Sequence, residues 1–144
     1  MKRILIAAAL CLVMVGLMAA PALAATQRVV LTRFPDVTAG YATFTTDQGD
    51  RALVVGITVT NATPRAKYRV YLFEGAVNCT LGYLTTNSKG KWGGQNEQYE
   101  FSKVLPVGEH IVQLKLIRLI DGSPDPQSNN WLMSPWVTIN ITRN

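Results

Sequence analysis

Cys79 and His110 are the two side chains whose chemistry is best suited to catalysis. An imidazole can deprotonate a thiol that lies within hydrogen-bond reach, so the pair could serve a small hydrolase. His110 is the only histidine of the chain, and no sequence pattern around either residue supports such a dyad. We therefore assign no catalytic residue and expect a protein that is not an enzyme. The hydrolase that uses Cys79 and His110 stays open as an alternative.

The composition does not favour a metal site. Zinc would have to combine one histidine and one cysteine with carboxylates. Asp47 with Asp50, or Asp121 with Asp125, could contribute to a calcium site, but neither pair fits the spaced acidic loop that closes with a glutamate. We interpret these aspartates as solvated turn residues and predict neither a metal nor a cofactor.

The stretch LGYLTTNSKGKWGG, residues 81–94, combines lysines, glycines and a tryptophan. It is not a P-loop, because Trp92 stands where the hydroxyl residue that binds magnesium is needed, and Thr85 occupies the upstream glycine position. Gly90 suits the left-handed position of a hairpin loop, and the Asn87 side chain can hydrogen-bond to nearby backbone. The stretch is therefore predicted to turn the chain.

Loop tryptophans are the candidates for recognition. Trp92, Trp131 and Trp136 lie in or beside predicted loops, and Lys89 and Lys91 flank the first of them. An exposed indole next to cations suits stacking on a sugar ring or docking on an acidic partner. We select Trp92, Lys89, Lys91 and Trp131 as candidate contacts to a ligand or partner. The alternative is that the tryptophans close the ends of the fold.

Short runs in which apolar residues alternate with other residues predict the β-strands that position these side chains. Alternation rich in β-branched residues predicts strands with one buried face. The clearest runs are Leu53 to Val59, Tyr68 to Phe73, Val112 to Leu116 and Val137 to Thr142, and weaker ones are Arg28 to Leu31, Tyr41 to Thr45, Leu81 to Thr86 and Tyr99 to Val104. The alternation also places Tyr71 and Phe73 on the face opposite Tyr68, and it predicts that His110 is a structural residue at the start of a strand.

Turn-forming clusters separate these runs without intervening helices. Such a pattern indicates an all-β chain, as a two-sheet antiparallel sandwich or, alternatively, a barrel. The segment from Asp121 to Asn130 contains two prolines and no apolar side chain, and is predicted to be a mobile loop.

The segment ATPRAKYRVYL, residues 62–72, resembles the strand entry of fibronectin type III and other immunoglobulin-like sandwiches. In that pattern an apolar residue, a proline, a small residue, a tyrosine and a valine occur at every second position, here Ala62, Pro64, Ala66, Tyr68 and Val70. The resemblance implies that Tyr68 is buried and returns its hydroxyl to nearby backbone. Three strand-forming segments follow Tyr68 here instead of one, so the strand topology is open. The runs from YRVYLFEG to LPVGEHIV also resemble exported bacterial sandwich domains, and neither resemblance supplies catalytic residues.

The first 24 residues have the three parts of a secretory signal. Lys2 and Arg3 precede an apolar run, Ile4 to Ala20, and Ala22-Leu23-Ala24 provides small residues where a signal peptidase reads. We predict cleavage after Ala24, with residues 25–144 as one β-sandwich domain. Retention of the segment as a membrane anchor is the alternative.

Cleavage would remove Lys2 and Arg3 and lower the formal net charge from +5 to +3. The remaining cations form no run of the kind that holds nucleic acid or an anionic membrane. Cys11 would leave with the signal, so Cys79 would have no disulfide partner within the chain. We expect a secreted, periplasmic or cell-surface binding or assembly module, whose partner is a protein or a polysaccharide of the envelope. A carbohydrate-binding module that uses loop tryptophans is the alternative.

Overall fold

The structure, a computed structural model, describes residues 25–46, 52–92 and 99–142. Within them the chain forms ten β-strands and a short 3-10 helix at Ser128–Asn130. The strands are β1 (Ala25–Arg33), β2 (Val37–Thr46), β3 (Ala52–Val59), β4 (Lys67–Glu74), β5 (Val77–Thr85), β6 (Tyr99–Val104), β7 (Gly108–Ile120), β8 (Ser123–Pro124), β9 (Leu132–Met133) and β10 (Val137–Ile141). The predicted all-β, antiparallel architecture is confirmed, and every predicted run coincides with an observed strand.

The strands join into one antiparallel sheet with the order β5-β4-β7-β9-β1-β2-β3-β6, and β8 and β10 also pair with β7. Strands β6, β3, β2 and β1 form one set of neighbours, and strands β5, β4, β7 and β10 form another. In the described part of the chain, the two-residue strand β9 links the two sets, pairing with the end of β1 and the middle of β7.

The sheet is rolled, so that its terminal strands β5 and β6 approach each other. The ring of Phe101 on β6 occupies the space that a Cβ at position 82 on β5 would fill. Gly82 therefore lets the ring close this side of the roll, because any larger residue would displace it. The result is a nearly closed antiparallel sheet.

The core lies between the inward faces of the strands. These faces carry fully buried side chains, including Phe44, Leu53, Tyr68, Leu114 and Ile141. Full burial of one such aliphatic or aromatic side chain contributes about 1.5–3 kcal/mol. Every second residue is buried in β10 and, as far as Leu72, in β4, as the alternating pattern predicts.

Tyr68 fixes the turn that precedes its own strand. Its ring is fully buried, and its hydroxyl accepts a hydrogen bond from the backbone N–H of Thr63 at 3.2 Å. The predicted return of this hydroxyl to the backbone is confirmed. The buried Thr86 hydroxyl holds the same turn, donating to the Thr63 carbonyl at 2.6 Å and accepting from the Ala66 N–H at 3.0 Å.

The loop between Asp121 and Asn130 is more organised than the sequence predicts. The Asp125 carboxylate is buried and accepts hydrogen bonds from the Gln127 N–H and the Asn130 amide, each at 2.9 Å. The backbone N–H of Asp125 donates to the carbonyl of Arg118 on β7 at 2.8 Å. The interpretation of Asp125 as a solvated turn residue is therefore wrong, because the loop folds back onto β7 and encloses the carboxylate.

Several predictions fall outside the described residues. These are the secretory signal at residues 1–24, the turn at 47–50 and the glycines at 93 and 94. Across the three described ranges, no helix is long and apolar enough to cross a membrane.

Candidate functional site

The loop that carries the selected lysines has the predicted left-handed glycine, but it is not the predicted hairpin. In the described residues the strands on either side of it, β5 and β6, pair with β4 and β3 and not with each other. Gly90 lies in the left-handed region at a φ of 70°. The Asn87 side-chain oxygen accepts hydrogen bonds from the backbone N–H groups of Lys89 and Lys91, at 2.9 and 3.0 Å. Both lysine side chains are exposed. The loop is therefore held by Asn87 and Gly90, and the two ammonium groups extend into solvent.

The selected tryptophans are less exposed than expected. Trp92 is partly buried against the core, and its backbone pairs with Val59 of β3 through hydrogen bonds of 3.0 and 3.2 Å. Trp131 is also partly buried, and its indole N–H donates to the Asp125 carbonyl at 2.9 Å. Trp136, which was not selected, is the most exposed of the three, at 50%. Trp92 and Trp131 thus both have a structural role.

Cys79 and His110 lie on different strands, and Glu74 borders both, because it lines the cleft beside Cys79 and hydrogen-bonds to His110. Cys79 on β5 lines an open cleft of about 130 Å³ together with Leu72, Val77 and Leu105. His110 on β7 is buried, as predicted, and its two ring nitrogens bind the Glu74 carboxylate at 2.6 Å and the Pro106 carbonyl at 2.8 Å. Both nitrogens are therefore bonded to groups other than the thiol, and these contacts give no support to a dyad.

Carboxylates, cysteine and histidine also do not gather into a metal centre in the described ranges. No group of three or more such side chains that could hold an ion occurs there. Asp125, one of the aspartates considered as a calcium ligand, instead accepts the two hydrogen bonds within its loop and lies 3.7 Å from an Arg118 guanidinium nitrogen.

A different set of residues forms a continuous polar and aromatic surface. The outward side chains of β4 are two cations followed by two rings, namely Lys67, Arg69, Tyr71 and Phe73. The strand register places Tyr83 of β5 opposite Arg69, and Lys115 of β7 opposite Tyr71. We call these six residues the cation–aromatic face.

Cations lie over the rings throughout this face. Lys115 Nζ is 4.4 Å from the centroid of the Phe73 ring, and Lys67 Nζ is 4.9 Å from that of Tyr83. The Arg69 guanidinium carbon lies 5.4 Å from the centroid of Tyr83 and 5.8 Å from that of Tyr71. These distances are within the range of cation–π attraction, which contributes about 0.5–1 kcal/mol at exposed sites.

Hydrogen bonding also fixes Arg69. One of its terminal nitrogens donates to the Tyr71 hydroxyl at 3.0 Å, and this bond raises the pKa of the guanidinium above its usual range. Tyr83 on the neighbouring strand is 44% exposed. The face therefore presents a cation of fixed position, flanked by two phenol groups.

The sequence contains the signal for four of the six residues of this face. Alternation in KYRVYLFE places Lys67, Arg69, Tyr71 and Phe73 on one side of a single strand. Tyr83 and Lys115 are 14 and 44 positions from Arg69 and Tyr71, and only the strand pairing brings them alongside.

Comparisons of the chain with protein families, with curated proteins and with solved structures find no match.

Proposed function

We propose that the chain is an exported, non-catalytic β-sandwich module of the immunoglobulin-like class that binds a component of the cell envelope. The observation that carries the proposal is the cation–aromatic face, a row of partly exposed rings and cations on the outside of β4, β5 and β7. Surfaces that combine aromatic rings with arginine are typical of binding sites in proteins.

Other features agree with a sandwich used for binding. The two four-strand sets, joined by β9 in the described chain, would supply the two layers of such a fold. The Tyr68 hydroxyl bonds to the turn before its strand, as the likeness to immunoglobulin-type sandwiches implies. The amino-terminal pattern of charge, apolar run and Ala-Leu-Ala would deliver the module outside the cytoplasm.

Attachment to isolated envelope material tests the proposal. The exported protein should begin at Ala25 by intact mass and should sediment with an envelope fraction. Tyr83→Ala should reduce the sedimented amount severalfold, because Tyr83 is on the proposed face. Tyr41→Ala is the matched control, since Tyr41 also lies under a cation, the Arg28 guanidinium at 4.2 Å, but on β2. Tyr41→Ala should sediment as the unmodified protein does.

Three results would count against the proposal. Equal sedimentation of all variants would show that the face is not used. Loss of attachment in Trp92→Ala, with a normal melting temperature and with Tyr83→Ala still bound, would favour the carbohydrate-binding alternative that uses loop tryptophans. A hydrolytic activity that disappears in a folded Cys79→Ser protein would favour the hydrolase.

A further inference from the structure

We propose that the cation–aromatic face recognises an acidic polysaccharide, with Lys67, Arg69 and Lys115 binding its carboxylate or phosphate groups. The inference rests on the proposed function and adds the chemical class of the ligand. A neutral glycan is therefore not the preferred ligand. The aromatic rings hold the cations in position and do not themselves stack on sugar rings.

Charge is the first argument. The residues that β4, β5 and positions 113–119 of β7 contribute to this face include three cations and no carboxylate. Glu74, at the end of β4, has its carboxylate 2.6 Å from His110. A surface with one sign of charge attracts ligands of the opposite sign and raises their association rate.

Occupancy of the rings is the second argument. A neutral sugar binds aromatic residues by lying against a ring face. Here ammonium or guanidinium groups already lie over Phe73, Tyr71 and Tyr83, so these ring faces are covered in part. An anion is favoured instead, because the rings hold the cations in place and less conformational freedom is lost when the anion binds.

Spacing is the third argument. Lys67 and Arg69 are two residues apart on one strand, which separates them by about 7 Å along it. Lys115 lies on the neighbouring strand, opposite Tyr71 and thus one further step along the row. The three cations therefore form a strip along β4. An extended polymer that repeats an acidic group can meet them in succession, and its hydroxyl groups can bond to the phenols of Tyr71 and Tyr83.

The test measures affinity for alginate, a polyuronate, and for dextran, an uncharged glucan. If three ion pairs form, the dissociation constant for alginate should rise about 100-fold between 20 and 200 mM salt, taking about 0.7 released counterion per pair as for flexible polyanions. Dextran should bind at least tenfold more weakly at 20 mM salt. A dissociation constant for alginate that does not change with salt would overturn the proposal.

Charge-removing variants locate the site. The salt slope is the change in the logarithm of the dissociation constant for alginate per tenfold change in salt concentration. Arg69→Gln/Lys115→Gln should reduce this slope from about 2 to about 0.7, because two of three ion pairs are lost. Lys89→Gln/Lys91→Gln is the matched control, since it removes the same charge from the exposed loop after β5 and should leave the slope at about 2. Lys67→Gln, at an exposed position, is a second variant should the first double variant not fold, and it should lower the slope by about 0.7. An equal decrease of the slope in Arg69→Gln/Lys115→Gln and in Lys89→Gln/Lys91→Gln would indicate a general charge effect and overturn the proposal.

The remaining outcomes separate this inference from the proposed function. Envelope attachment that needs Tyr83, combined with equal binding of alginate and dextran, leaves the proposed function intact and overturns the acidic ligand. Stronger binding to anionic lipid vesicles, to nucleic acid or to an acidic protein than to alginate also overturns it. If the unmodified protein does not attach to the envelope fraction, both the proposed function and the acidic ligand are overturned.

Discussion

His110 Nδ1 lies 2.6 Å from Glu74 Oε1, and its other ring nitrogen lies 2.8 Å from the carbonyl of Pro106. A carbonyl oxygen can only accept, so the nitrogen facing Pro106 carries a proton. A second proton on Nδ1 lets the ring donate to the carboxylate as well. The imidazolium form is therefore favoured, and the pKa of His110 is raised, first by the bond to Glu74 and then by the bond to Pro106.

This relationship predicts a dependence of stability on pH. Because the pKa is higher in the folded protein, the stabilisation is fully present below about pH 6.5 and is lost as the pH rises through the raised value. We expect the melting temperature to fall by a few degrees between pH 6 and pH 9. Glu74→Gln should flatten this dependence, whereas Glu109→Gln, a neighbouring exposed carboxylate, should not. A stability that rises over the same pH range would contradict the assignment.

Asp125 predicts the opposite dependence in acid. The Gln127 N–H lowers the pKa of this carboxyl, and the Asn130 amide and Arg118 lower it further. Its stabilisation is therefore present above the ordinary value of about 3.9 and is lost as the pH falls through the lower folded value. Asp125→Asn should lower the melting temperature at pH 7 by several degrees and weaken the acid dependence. Asp121→Asn, an exposed change in the same loop, is the control, and equal effects of both would refute the role of Asp125.

Tyr68 should contribute more to stability than Tyr41, Tyr71 or Tyr83, because it alone among these four is fully buried. Tyr68→Phe leaves the Thr63 N–H without its acceptor and should cost about 0.5–1.5 kcal/mol. Tyr68→Ala also opens a cavity in the core and should cost about 3–5 kcal/mol. Tyr83→Phe, on the outer surface, should change stability by less than about 0.5 kcal/mol. Chemical denaturation measures the free energy of unfolding of all three variants. A Tyr68→Ala protein as stable as the unmodified one would contradict the role of Tyr68 in holding the turn before β4.

Gly90 and Gly75 form a matched pair for testing the contact between the loop after β5 and Ala62. Both lie at positive φ, 70° and 58°, so an alanine at either position costs about 1–2 kcal/mol in backbone conformation. A Cβ at position 90 would also collide with the Ala62 carbonyl oxygen, whereas one at position 75 meets no atom within 4 Å. Gly90→Ala should therefore be less stable than Gly75→Ala by about a further 1–3 kcal/mol. Equal losses would show that the loop at position 90 moves freely away from Ala62.

Cys79 is expected to be dispensable for folding. It is partly buried beside the cleft, and His110 is engaged elsewhere. Cys79→Ser should keep the fold and cost about 1 kcal/mol, since a hydroxyl replaces a weakly polar thiol in a half-covered site. A dimer that disappears on reduction and is absent in Cys79→Ser would instead assign the thiol to pairing between chains.

The sequence by itself determined the longer strands and the face to which their side chains belong, but not the two-residue strands β8 and β9. Leu53 to Val59 and Tyr68 to Phe73 alternate with a period of two, and this local property requires no knowledge of neighbouring strands. The same alternation predicted that His110 would share the buried side of Val112. Gly90 was predicted because a left-handed residue favours glycine wherever it occurs.

The tertiary structure alone decided which strands are neighbours, and therefore the candidate site. Trp92 looked exposed because its sequence neighbours are lysine and glycine, but its backbone pairs with Val59, 33 positions away. Asp125 looked solvated because the residues around it are polar, but Arg118 and the folded loop cover it. The cation–aromatic face was divided in the sequence among three strands. Cross-strand contacts depend on register and topology, which alternation does not encode, so those contacts had to be read from the folded chain.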